Sequence, residues 1–165
     1  MQINIVMPSL VSLHEMIHQD EQVNGSVESL SVSQKLGILI QIARIMNTFH
    51  SLNPPMYHGN LNSSNIFVDV DTRDNDSDSD FTVRIGEIEM GDIKKYANLF
   101  YSYRSISVSS PPECLENQRQ RNDPAPEMDI YSFGMIMWEM IFEQLPFNGE
   151  ISSAIEYIVK EDARP

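Results

Sequence analysis

Leu36, Leu39, Ile40, Ala43, Met46 and Phe49 recur at the spacing of one helix face. Ser31, followed three residues later by Gln34, gives that helix a capping-box start, and Pro54-Pro55 closes the region. Before it, Gln2-Ile3-Asn4-Ile5-Val6 reads as a short strand and residues 12–18 as a short helix. The polar residues 19–30, with Gly25, read as a loop. Ile66-Phe67-Val68 and Phe81-Thr82-Val83-Arg84-Ile85 predict two short strands. Ser153 with Glu156 predicts a second capping box, and Ile151, Ile155, Ile158 and Val159 a single apolar stripe on the helix that follows. The longest apolar stretch, residues 130–147, is interrupted by Ser132, Gly134, Glu139, Glu143, Gln144 and Pro146. That is too broken for a membrane span and fits a buried helix. There are no internal repeats.

A chain of 165 residues with 41% hydrophobic content suits one domain with a real core, spanning residues 1–165. The net charge of -13 disfavours nucleic acid and anionic membrane as partners. The single Cys114 excludes an internal disulfide and fits a reducing compartment. With no signal-peptide pattern at the N-terminus, the expected location is cytoplasmic. Residues 70–80 form an acidic loop insertion between the two strands. Asp76, Asp78, Asp80 and Glu87 in and after it fall at calcium-loop offsets. Phe81 stands where such a loop requires Gly, and no helix flanks it, so a solvated acidic loop is the better reading. His14, His18 and His50 lack ligand spacing with Cys or carboxylate and are expected to bind no metal. Trp138, Met135, Met137 and Met140 are expected to be core.

Four runs of residues belong together. His58-Gly59-Asn60-Leu61-Asn62-Ser63-Ser64-Asn65 resembles the kinase catalytic loop H-R-D-L-x-x-x-N, and Ser110-Pro111-Pro112-Glu113 resembles the A-P-E motif. Met128 to Met140, with Asp129-Ile130-Tyr131-Ser132-Phe133-Gly134 and Trp138-Glu139, resembles the central helix of the large lobe, and Leu145-Pro146-Phe147 follows it. Gln41-Ile42-Ala43 with Phe49-His50-Ser51 resembles the helix that precedes the catalytic loop. In this order and spacing the chain resembles a protein kinase of the tyrosine-kinase-like branch. The resemblance implies an α+β, protein-kinase-like fold. Its predominantly helical C-terminal lobe would carry a short two-stranded ribbon, with the small lobe almost absent.

The resemblance also assigns roles. Val6 and Met7 fall at the adenine-binding hinge. Asp129 would anchor the catalytic-loop backbone near His58, and Glu113 would be the other structural anchor. His58 would be a core histidine stacked with Ile88. Asn60 stands where a kinase carries its catalytic Asp. An amide cannot accept a proton near neutral pH, so it cannot serve as general base. Asn62 stands at the lysine position of the loop. Aligning Val83-Arg84-Ile85-Gly86 before D-F-G puts Glu87 at the metal-binding Asp, so Asn65 and Glu87 are the candidate metal ligands. No cofactor is expected, and weak ATP and magnesium binding only in a complete domain. The expected function is that of a pseudokinase: protein binding or signalling regulation without phosphoryl transfer, through protein partners and with self-association. The alternatives are a fragment of an ATP-dependent Ser/Thr or Tyr kinase with residual activity, and a kinase-homology regulatory domain such as that of a receptor guanylyl cyclase.

Overall fold

The computed structural model describes residues 10–18, 30–70, 81–86, 107–116, 125–161 and 165. The expected first strand, the hinge residues Val6 and Met7, the acidic loop and Glu87 lie outside them. β1 (Val11–Ser12) leads directly into α1 (Leu13–Ile17), and α2 (Val32–His50) follows. β2 (Ile66–Val70) and β3 (Phe81–Ile85) pair antiparallel, with Val68 opposite Val83. The expected two-stranded ribbon is a three-stranded sheet, because β1 adds to the other edge of β2 and sets Val11 opposite Val68. Two residues are too few to show alternation, and the second of them also caps a helix.

That cap is Ser12. Its hydroxyl accepts from the Glu15 backbone N–H at 3.1 Å, while its own N–H donates to the Glu15 carboxylate at 2.9 Å. The Ser12 hydroxyl also donates to that carboxylate at 2.9 Å, and the two Ser12 donors, the N–H first and the hydroxyl second, hold the Glu15 carboxyl below its usual 4.5. Ser31 and Gln34 form the same reciprocal box at the start of α2, as their spacing predicts.

The buried face of α2 differs from the expected stripe. Ile38, Ile42 and Met46 are buried, with Leu39, Ile45 and Phe49 packed beside them, whereas Leu36, Ile40 and Ala43 are exposed. Apolar residues cover more than half of this helix's circumference, so its spacing fits two overlapping stripes, and only the neighbours decide between them. One neighbour is β3: the Gln41 side chain donates to the Phe81 carbonyl at 2.6 Å and accepts from the Val83 N–H at 3.1 Å. The amide thus pairs part of an edge that would otherwise offer free backbone groups.

α3 (Pro112–Glu116) is a short turn of helix. α4 (Pro126–Phe142) begins with Pro at its first position, where a missing N–H costs nothing. Met128, Asp129, Ser132, Met135, Ile136, Glu139 and Met140 form its buried face. Ile136 and Met140 join Leu13, Ile38, Ile42 and Leu61 in one core cluster. Met135 joins Leu115, Phe147, Ala154 and Ile158 in a second, so α4 serves both. Ile130, Gly134, Met137 and Ile141 lie along the opposite side and are exposed, Ile130 by 64% and Ile141 by 61%. Met137 is therefore not core, unlike Met135 and Met140. Trp138 is half-buried, its ring 5.0 Å from that of Phe142.

α5 (Ile151–Ala154) continues into a π-helical turn over Ile155–Lys160. The helix starts before the expected Ser153–Glu156 box, and Ser153 Oγ donates backwards to Glu150 Oε2 at 3.2 Å. Ile151 is exposed while Ile158 is buried, because the widened π turn rotates the stripe. Between α4 and α5 the chain turns through Phe147 and Asn148 at φ 52° and 56°, a left-handed conformation that bulky side chains rarely adopt. The Phe147 ring is held in the second cluster. Among the described residues no helix is long and apolar enough to cross a membrane.

Candidate functional site

The segment from His58 to Asn65 joins α2 to β2 and is folded around one carboxylate. Asp129, in the first turn of α4, is 2% exposed. Its Oδ2 accepts from the His58 N–H and its Oδ1 from the Gly59 N–H, both at 2.9 Å. His50 Nε2, at the end of α2, lies 2.8 Å from Oδ2. Three elements thus meet on one side chain. Charge-assisted bonds of this kind are the stronger class of hydrogen bond. Gly59 sits at φ 73°, a conformation that a side-chain-bearing residue enters at a cost.

His58 is fully buried. Its Nδ1 accepts from the Asn60 N–H at 3.1 Å, and its Nε2 lies 2.9 Å from the Gly86 carbonyl. The Gly86 N–H in turn donates to the Asn65 carbonyl at 2.9 Å, so the end of β3 is laced to both ends of the loop. A Cβ on Gly86 would stand 2.7 Å from the Phe67 ring, which explains the glycine there. Ile88, the expected stacking partner of His58, lies outside the described residues.

The three amides of the loop face one another. Asn62 Nδ2 donates to the Asn60 carbonyl at 3.0 Å and reaches its Oδ1 at 3.3 Å. Asn65 Nδ2 donates to the same Asn60 carbonyl at 2.8 Å. Asn62 Oδ1 accepts from the Ser64 N–H at 3.0 Å and caps the 3-10 turn Ser63–Asn65. Asn62 and Asn65 are thus both turned onto the backbone of residue 60. The Asn65 amide nitrogen is committed to the loop, and its companion Glu87 is outside the described residues. Glu113 is exposed on α3 and forms no ion pair with a described residue, so it anchors none of them. What fastens that region is Ser132 of α4, whose hydroxyl donates to the Ser109 carbonyl at 2.9 Å.

Two contacts escaped the sequence reading. His50 shares Asp129 with the loop backbone. His14 and His18 also converge on Glu139, although no ligand spacing with a carboxylate is visible in the chain. Their i, i+4 separation, on α1 and its C-cap, was the available signal; Glu139 lies on another helix, beyond the reach of local spacing.

A buried histidine and a backbone-binding aspartate framing a loop between a long helix and a β-ribbon define the catalytic-loop architecture of a protein kinase. The chain belongs to that family: the model for protein tyrosine and serine/threonine kinases matches residues 2–165. Among curated proteins it is 31% identical over 82% of its length to serine/threonine-protein kinase CTR1 of Arabidopsis thaliana, of which it covers 15%. It is 33% identical over 66% of its length to serine/threonine-protein kinase WNK8 of the same plant, of which it covers 17%. It is 30% identical over 86% of its length to ankyrin repeat and protein kinase domain-containing protein 1 of Mus musculus, of which it covers 19%. The chain therefore spans less than a fifth of each of these relatives.

Proposed function

We propose that this chain is a kinase-homology module that acts by binding protein and transfers no phosphate. The observation that carries the reading is residue 60. An amide stands where a kinase needs a proton acceptor, and Asn62, at the lysine position, spends its side chain on the Asn60 carbonyl. A general base is worth about 10²–10⁴ in rate, and phosphoryl transfer relies further on charge placed around the transferring group. The exposed apolar stripe of Ile130, Gly134, Met137 and Ile141 supports a binding role, since an otherwise buried helix rarely leaves such a face to water. The Tyr131-Ser132-Phe133-Gly134 and Leu145-Pro146-Phe147 runs favour a tyrosine-kinase-like ancestry for the module.

An active kinase is the second reading, and the names of the relatives, serine/threonine-protein kinases, favour it. The two readings separate in one experiment. Labelled phosphate transfer from Mg-ATP to a generic protein substrate is measured for the wild type, Asn60→Asp and Asn65→Ala. The expected result is no transfer above a protein-free control in any of the three. Asn60→Asp is expected to stay silent because Asn62 still occupies the lysine position. Wild-type transfer abolished by Asn65→Ala would overturn the proposal.

A further inference from the structure

Towards the other end of the loop from the residues that Asp129 holds, three side chains from elements distant in the chain converge. His14 on α1 and His18, which caps its C-terminus, stand one turn apart, and Glu139 lies in the last turn and a half of α4. His18 Nε2 is 2.9 Å from Glu139 Oε1, and His14 Nδ1 is 3.5 Å from the same oxygen. One nitrogen from each ring and the carboxylate oxygen all lie within 4.8 Å of one another. Ser63, the residue after Asn62, donates its hydroxyl to that oxygen at 2.8 Å and lies 3.5 Å from His14 Nδ1.

Burial makes this cluster unusual. Glu139 is 2% exposed, and an isolated carboxylate there would be costly without a compensating positive charge. Among the described residues no lysine or arginine pairs with it; the groups that reach it are two imidazoles and a hydroxyl. Two imidazole nitrogens and a carboxylate oxygen are the donor set of a borderline divalent cation. Ligands held at about 2.0–2.1 Å in a tetrahedron lie about 3.3 Å apart, a spacing between the two nitrogen–oxygen separations of 2.9 and 3.5 Å found here. The His14 side chain is 37% exposed, leaving an open side through which an ion can enter and a water complete the shell.

We propose that His14, His18 and Glu139 bind a divalent transition-metal ion of the zinc class. The ion fastens α1 to α4 directly beneath the turn that begins at Asn62. None of its three ligands is Asn65, whose side-chain amide is turned onto the Asn60 carbonyl. Its donors are nitrogen-rich, which selects zinc, cobalt or nickel over magnesium or calcium.

The test is titration of the untagged chain, in a Cys114→Ser background, with zinc and with cobalt. Affinity is read by calorimetry, geometry by the visible spectrum of cobalt, and folding by circular dichroism. The expected result is one ion per chain with a Kd well below about 1 mM, weakening as the pH drops from about 7.5 to about 5.5 because imidazole binds metal only as the neutral ring. His14→Asn and His18→Asn each reduce affinity by at least about tenfold while magnesium has no effect. His18→Cys restores binding and adds a thiolate-to-cobalt charge-transfer band, which places the ion at residue 18 even if Glu139→Gln fails to fold. Absence of binding below about 1 mM, or binding unaltered by both His→Asn variants with no thiolate band in His18→Cys, overturns the proposal. In that event the cluster is a hydrogen-bonded imidazole–carboxylate group only.

Discussion

Replacing Asp129 by Ala asks whether the loop from His58 to Asn65 is held by its own residues or by the helix behind it. The carboxylate is 2% exposed and accepts both the His58 and the Gly59 N–H at 2.9 Å. Alanine leaves those two amides without an acceptor, each costing about 1–3 kcal/mol. The expected loss is therefore about 2–6 kcal/mol, a large share of the roughly 5–15 kcal/mol that holds an ordinary domain together. His50 adds little to this sum. Its side chain is 20% exposed and can turn to water, so His50→Gln is expected to cost less than about 1.5 kcal/mol. Asp129→Asn keeps one carbonyl oxygen and should fall between the two. Urea denaturation gives the energies, and amide hydrogen exchange locates them. The His58 and Gly59 amides should lose more protection in Asp129→Ala than the amides in the middle of α2. A loss under about 1 kcal/mol, with both amides still protected, would refute the reasoning and return control of the loop to its own sequence.

Ser31→Ala removes the side-chain half of the box at the start of α2 and should cost about 1 kcal/mol, read as a fall in the urea midpoint at constant slope. Gly86→Val should destabilise by about 1–3 kcal/mol, since its Cβ meets the Phe67 ring, and Phe67→Ala should recover part of that loss in a double-mutant cycle. The exposed stripe on α4 should make the chain associate at micromolar concentration. Met137→Lys with Ile141→Lys should abolish association in sedimentation without lowering the unfolding midpoint, because both residues already face water.

Much of the fold was legible because its signals are local. The Ser31–Gln34 box needs only a spacing of three, and the alternation of Phe81 to Ile85 needs only the strand itself. The family motifs carried more: they led to Asp129 as the residue behind the loop, a pairing across 70 positions that no periodicity could offer. What stayed hidden depends on a second element. Whether Ile38 or Leu36 faces inwards is decided by the sheet and α4, because the apolar arc of that helix is broad enough to hold both. Val11 and Ser12 become a strand only by lying beside β2. Glu139 looked like an interruption in an apolar run, and nothing near it in the chain announces the two histidines that reach it.

Asp129 grips residues 58 and 59 by their peptide groups, and peptide groups are common to every residue except proline. The instruction for the loop's path at residues 58 and 59 is therefore written on α4, while the instruction for proton chemistry is written on the side chain at position 60. Mutation can edit the second and leave the first untouched. A lineage in which position 60 drifts from acid to amide keeps a correctly shaped surface at no cost to folding, free for selection to turn to another use. The same separation works in reverse for an engineer: a new side chain can be installed at 60 as on a fixed mount, provided Asp129 and the turn-capping Asn62 are left alone.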